Sequence, residues 1–168
     1  MAAVPVNLRK PGEQSEGNMV SSLQVKLGKA NQSPRERLEA VSKSVKTARE
    51  VCDGVPSAAT QVVSFGTAIF AAMGSALSLE GIMPPPVNVI ISNVPGPRET
   101  RYFGGAELLS SFPVSAIAPM TALNVTVFSY NGKLFVGLTS SRRALPRLRD
   151  LKLCFDEVYE EFKEALLD

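Results

Sequence analysis

Val125-Thr126-Val127-Phe128 and Leu134-Phe135-Val136 flank the dipeptide Asn131-Gly132, and this arrangement is the strongest local constraint in the chain. A two-residue Asn-Gly connection between β-branched and aromatic runs favours a type I′ turn, whose twist matches that of the strands it joins. The pattern therefore predicts a β-hairpin. Leu108 to Gly132 contains no charged residue, so the two strands predicted within it, Leu108 to Ser115 and Leu123 to Tyr130, are expected to be covered on both faces.

Other elements fall around this hairpin. Val87-Asn88-Val89-Ile90-Ile91 reads as a compact β-branched strand, entered from Pro84-Pro85-Pro86, which no helix can continue through. Ala3 to Leu8 reads as a short strand stopped by Pro11-Gly12, and Met19 to Leu27 as a second, with Leu23, Val25 and Leu27 alternating. Ser33-Pro34-Arg35-Glu36 supplies an N-cap serine, a first-turn proline and a glutamate three residues after the cap. The helix it starts carries Leu38, Val41, Val45, Ala48 and Cys52 along one face. A terminal helix bearing Leu148, Leu151, Phe155, Val158, Phe162 and Leu166 is expected to lie on the sheet. Gly54 to Leu79 is uncharged but diluted by hydroxyls and glycines, which favours a buried or lipid-adjacent helix pair over a membrane span. The sum is an α+β fold, a mixed β-sheet with packed helices.

At 168 residues, 45% hydrophobic and 20% charged, the chain suits one globular domain spanning 1–168. A formal charge of +2 gives no bulk attraction to nucleic acid. Cys52 and Cys154 are too far apart in sequence for a CxxC motif, and Cys154 reads as a buried reduced thiol, in keeping with a cytoplasmic protein. No signal peptide is visible at Met1 to Lys10.

The chain has no histidine, which removes the commonest neutral-pH general base along with any Ser-His or Cys-His nucleophile. No catalytic residue and no metal ligand set is expected within it. Asp53, Glu80, Glu99 and Glu107 are scattered and read as solvated charges. No phosphate-cradling glycine loop is present. Arg142, Arg143, Arg147 and Arg149 read either as a solvated helix start or as a contact for an anionic headgroup or coenzyme A phosphate.

Five blocks in order carry a family resemblance: Val4 to Arg9 with Pro11-Gly12; Gly17-Asn18; Ser92-Asn93-Val94-Pro95-Gly96-Pro97 followed by Tyr102 and Gly104-Gly105-Ala106; Phe112-Pro113-Val114; and Leu123 to Tyr130. Together they resemble the C-terminal domain of the wax ester synthase/diacylglycerol acyltransferase family. The resemblance implies the C-terminal half of a two-domain, chloramphenicol acetyltransferase-like fold. It implies transfer of a long-chain acyl group from acyl-CoA, as substrate and not cofactor, to a fatty alcohol or diacylglycerol. The family's HHxxxDG motif, whose second histidine is the base, is absent here and is expected on an N-terminal half supplied in cis or in trans. On this basis the chain alone is expected to be inactive, and location at a membrane or lipid-droplet surface is expected to be peripheral at most. The rival expectation is a non-catalytic lipid- or protein-interaction module derived from the same family.

For Asn93, Pro95, Gly96 and Pro97 two readings stand. Proline fixes φ and glycine tolerates positive φ, so the residues suit a sharp crossover on geometry alone; alternatively the crossover shapes the acyl tunnel, with Asn93 holding backbone groups near the thioester. Asn124 and Thr126 divide the same way, since polar residues in an uncharged strand need partners if buried, and either brace the crossover or face the tunnel.

Overall fold

A computed structural model describes residues 1–7, 20–55, 57–79, 82, 85 and 87–167. The expected turn at Pro11-Gly12, the Gly17-Asn18 block and Glu80 lie outside the described residues.

Strands β1 (Ala2–Asn7), β2 (Val20–Val25), β3 (Val89–Val94), β6 (Leu123–Tyr130) and β7 (Lys133–Ser140) form one sheet in the order β2-β1-β3-β6-β7. Strands β4 (Tyr102–Phe103) and β5 (Ala106–Glu107) pair separately. β1 and β3 are parallel, as are β3 and β6, while each edge strand is antiparallel to its neighbour, so the sheet is mixed. Asn131 and Gly132 both adopt the left-handed conformation, with φ of 47° and 74°, as a type I′ turn demands, and the β6/β7 register runs from Tyr130 opposite Lys133 to Leu123 opposite Ser140.

Helix α1 (Pro34–Asp53) begins at the expected capping box: Ser33 Oγ accepts from Glu36 N–H, and the Glu36 carboxylate accepts from Ser33 N–H at 2.9 Å. Those bonds to the charged form hold Glu36 below the usual carboxylate range. On β2, Ser21, Leu23 and Val25 are buried while Ser22 and Gln24 face outward. The half-buried face of α1 packs on this strand, and Lys26 N–H donates to Ser44 Oγ at 2.9 Å.

Four expectations are corrected. Gly54 to Leu79 forms a single helix, α2 (Ser57–Ala76), and not a pair. It ends in a Schellman motif, with Ser78 at φ 55° and Leu79 N–H bonded to Gly74 O. Nor is it buried: Ala71 and Gly74 are, but Val62, Val63, Phe65 and Met73 are exposed. Among the described residues, no helix is long and apolar enough to cross a membrane. Helix α3 (Leu148–Leu167) packs against α1 instead of lying on the sheet, with Arg35 donating to Ala165 O at 2.9 Å. Cys154 is consequently exposed, because the α3 face that carries it has no cover within the described chain.

The fourth correction concerns Leu108 to Ser115, which is extended but joins no sheet. The segment from Pro113 to Ala116 lies across the face of β6 and β7 and is held by side chains instead of a ladder. Pro113 has no N–H to give to a ladder in any case.

Candidate functional site

At Val94 the chain leaves the sheet through Pro95-Gly96-Pro97, and this crossover is stitched to the neighbouring hairpin. Gly96 N–H donates to Ser129 Oγ at 3.1 Å, and Asn131 N–H donates to Pro97 O at 3.0 Å. Gly96 is not among the glycines in the left-handed region. Space is what requires it: a Cβ there would lie 2.2 Å from Ser129 O and 2.5 Å from the Phe128 ring. Pro97 and Gly96 are half-buried, Pro95 is exposed, and Asn93, opposite Val127 in the parallel register, is also exposed.

Beyond the turn, the chain makes an excursion clamped by one side chain. Tyr130, 2% exposed, accepts Arg101 N–H and donates to Leu108 O, both at 2.8 Å, while Leu108 N–H closes on Arg101 O. Between these clamped legs, Gly104 and Gly105, at φ 57° and 83°, turn the β4–β5 hairpin. Phe103 sits at its tip, 90% exposed.

The returning segment alternates. Pro113, Ser115 and Ile117 are half-buried, while Phe112 and Val114 are exposed, Val114 by 88%. Beneath it lie Asn124 and Thr126, both buried. Asn124 Nδ2 donates to Ala116 O at 3.3 Å, Thr126 Oγ1 donates to Asn124 Oδ1 at 2.9 Å, and Ser115 and Thr126 share a 2.6 Å hydroxyl hydrogen bond. The network satisfies polar groups that would otherwise be stranded on a covered strand. Gly137 gives the segment room, since a Cβ there would overlap Pro113 O. Phe112 and Phe135 meet edge to face, ring centroids 5.2 Å apart.

The six residues singled out from the sequence thus divide. Asn93, Pro95, Gly96 and Pro97 form the crossover, whereas Asn124 and Thr126 brace the segment after it. Sequence reasoning assigned no role to Ser115, Ser129, Tyr130 or Gly137. A tyrosine closing an uncharged strand was the available signal, because a buried phenol has to find a polar partner.

Taken together, the mixed five-stranded sheet, the stitched crossover and the clamped excursion make an α+β fold in which an exposed crossover adjoins a braced apolar segment. The chain belongs to the family described as the WS/DGAT C-terminal domain, whose family model matches residues 16–163. It is 33% identical to a putative diacylglycerol O-acyltransferase of Mycobacterium tuberculosis, over 99% of this chain and 37% of that protein. It is 32% identical to the O-acyltransferase WSD of Acinetobacter baylyi, over 99% of this chain and 36% of that protein. The wax ester synthase/diacylglycerol acyltransferase from Marinobacter aquaeolei superposes with a TM-score of 0.76 at 28% identity, covering 98% of this chain and 36% of that one. The chain spans a little over a third of the length of these relatives.

Proposed function

We propose that the chain acts as the C-terminal half of an O-acyltransferase that moves a long-chain acyl group from acyl-CoA to a fatty alcohol or diacylglycerol. In this reading it supplies one wall of the substrate tunnel and the face that meets a histidine-bearing half, whose histidine takes the proton of the attacking alcohol. The observation that carries the reading is the apolar surface beside the crossover: Phe103, Leu109, Phe112 and Val114 are all strongly exposed on a segment fixed by Tyr130 and by the Asn124-Thr126 network. An exposed, braced apolar segment on a chain that spans a little over a third of its relatives' length suits burial against a partner domain or an acyl chain. The names of the relatives supply the acceptor class, diacylglycerol or the alcohol of a wax ester; the acyl-CoA donor follows from the family resemblance.

The absence of histidine makes the reading testable. Incubated alone with palmitoyl-CoA and hexadecanol or dioleoylglycerol, the chain is expected to release no coenzyme A above background. Co-expression with an HHxxxDG-bearing half is expected to restore release. Turnover by the chain alone that survives repurification would sink the half-enzyme reading, and absence of activity in every pairing would favour the interaction module.

A further inference from the structure

Helix α3 carries an apolar face that the rest of the described chain leaves open. Leu151, Phe155, Val158 and Phe162 step by four, three and four residues, the spacing of a seam on which a second helix packs. With Cys154 and Tyr159 they line a groove of about 410 Å³ to which, among the described residues, no other element contributes. The helix is half-buried only toward its ends, at Leu148, Leu151, Phe162 and Ala165, and Arg35 of α1 holds it there through Ala165 O. Every residue from 152 to 160 is exposed, Phe155 by 45% and Tyr159 by 64%. Because α3 meets α1, and α1 meets the edge strand β2, this face belongs to a different part of the fold from the crossover between β3 and β6.

Two features of the helix say what covers it. The first is charge. Residues 142–152 carry Arg142, Arg143, Arg147, Arg149 and Lys152 against Asp150 alone, whereas residues 153–167 carry Asp156, Glu157, Glu160, Glu161 and Glu164 against Lys163 alone. A partner of one sign would complement one end of this helix and repel the other, while a second α3 running in the opposite direction complements both. The second is symmetry. About a two-fold axis beside the 156–157 peptide, the six groove residues fall into level pairs: Leu151 with Phe162, Cys154 with Tyr159, and Phe155 with Val158 of the other copy. Arg149 comes level with Glu164, Asp150 with Lys163, and Lys152 with Glu161. The like-charged level pair, Asp156 with Glu157, sits at the centre, where Asp156 already pairs with Lys152 at 2.6 Å.

We propose that α3 is the contact surface for a second copy of this chain, with the two helices antiparallel across a two-fold axis and the groove of each filled by Phe155 and Val158 of the other. A two-fold interface uses the same patch on both copies, so the patch has to complement itself, and this one does in both its apolar spacing and its charge. Burial of the facing apolar side chains supplies the affinity. The opposed charges at the ends set the direction, since a parallel pair would lay basic start on basic start and acidic end on acidic end. The proposal is independent of the acyltransferase reading, because it uses a surface on which that reading places neither tunnel nor partner half.

Sedimentation equilibrium of the 168-residue chain tests it. A reversible monomer–dimer equilibrium is expected, weakening as salt rises, with a melting temperature that climbs with protein concentration because association stabilises the folded state. The double substitution Phe155→Glu/Val158→Glu is expected to weaken the dimer by about a hundredfold or more, as loss of the central apolar contacts of an interface does. Its melting temperature at high dilution should match that of the unsubstituted chain, since both side chains are exposed in the monomer. Direction is read by disulfide trapping in chains that also carry Cys52→Ser and Cys154→Ser. Leu151→Cys and Phe162→Cys chains are expected to cross-link when mixed and not when oxidised separately, because an antiparallel pair brings only the unlike positions within disulfide reach. A chain that stays monomeric at every concentration overturns the proposal, as does a dimer that the double substitution leaves intact. Cross-linking of the Leu151→Cys chain to itself in preference to the mixed product overturns the antiparallel arrangement. A monomer that instead binds a histidine-bearing half, and loses that binding through the same double substitution, reassigns the face to the other half and also overturns it.

Discussion

The crossover at Asn93 to Pro97 and the polar pair Asn124-Thr126 lie on adjacent parallel strands, yet meet opposite environments. Asn93 is exposed at the end of β3, whereas Asn124 and Thr126 are buried under the segment that returns from the excursion. Each region depends on a glycine that lets two backbones approach, Gly96 against Ser129 O and Gly137 against Pro113 O. The difference is what rests on top. A polar side chain with the chain folded over it is committed to hydrogen bonds within the fold, while one left uncovered remains open to a ligand or a partner.

The largest effects should come from the two glycines. Gly137→Val and Gly96→Val each drive a side chain into a backbone carbonyl that has no room to retreat, so each is expected to cost about 3 kcal/mol or more in chemical denaturation. A mild effect at Gly96 alone would show that the crossover is loosely held and break the symmetry between the regions. Next comes Asn124→Ala, expected to cost about 1–3 kcal/mol because Ala116 O and Thr126 Oγ1 lose a buried partner. Thermal melting checks it, and an unchanged melting temperature would argue that water replaces the amide. Ser129→Ala removes the acceptor for Gly96 N–H and is expected to cost about 1 kcal/mol, read in the same melts. Asn93→Ala should change stability least, by under about 0.5 kcal/mol, as is usual for an exposed side chain. If the crossover serves the tunnel, this last substitution nonetheless lowers acyl transfer once a histidine-bearing half is present. A variant that unfolds the chain would instead make Asn93 a structural partner and withdraw it from the candidate site.

Where sequence reading succeeded, the information was local. The Asn131-Gly132 turn, the Ser33-Pro34-Glu36 helix start and the bounds of β6 each follow from backbone preferences and hydrogen-bonding within a few residues. The α+β class and the family followed from several such blocks in order. The errors share a different origin. Leu108 to Ser115 has the composition of a buried strand, but its polar groups meet Tyr130, Asn124 and Thr126 across the sheet face, a pairing that periodicity does not encode.

The sequence by itself determined the Asn131-Gly132 turn and the start of α1, that the chain holds no histidine base, and which family it belongs to. Only the tertiary structure decided what each apolar face meets. Helix α3 has the stripe expected of a sheet-packing helix, yet it docks on α1 and leaves Phe155 and Cys154 exposed; α2, uncharged from end to end, keeps Val62, Phe65 and Met73 exposed. Hydrophobic burial is non-directional and scales with area removed from water, so an apolar stripe specifies that a surface be covered without naming its cover. The cover depends on how distant segments are brought together, and that is a property of the folded chain as a whole.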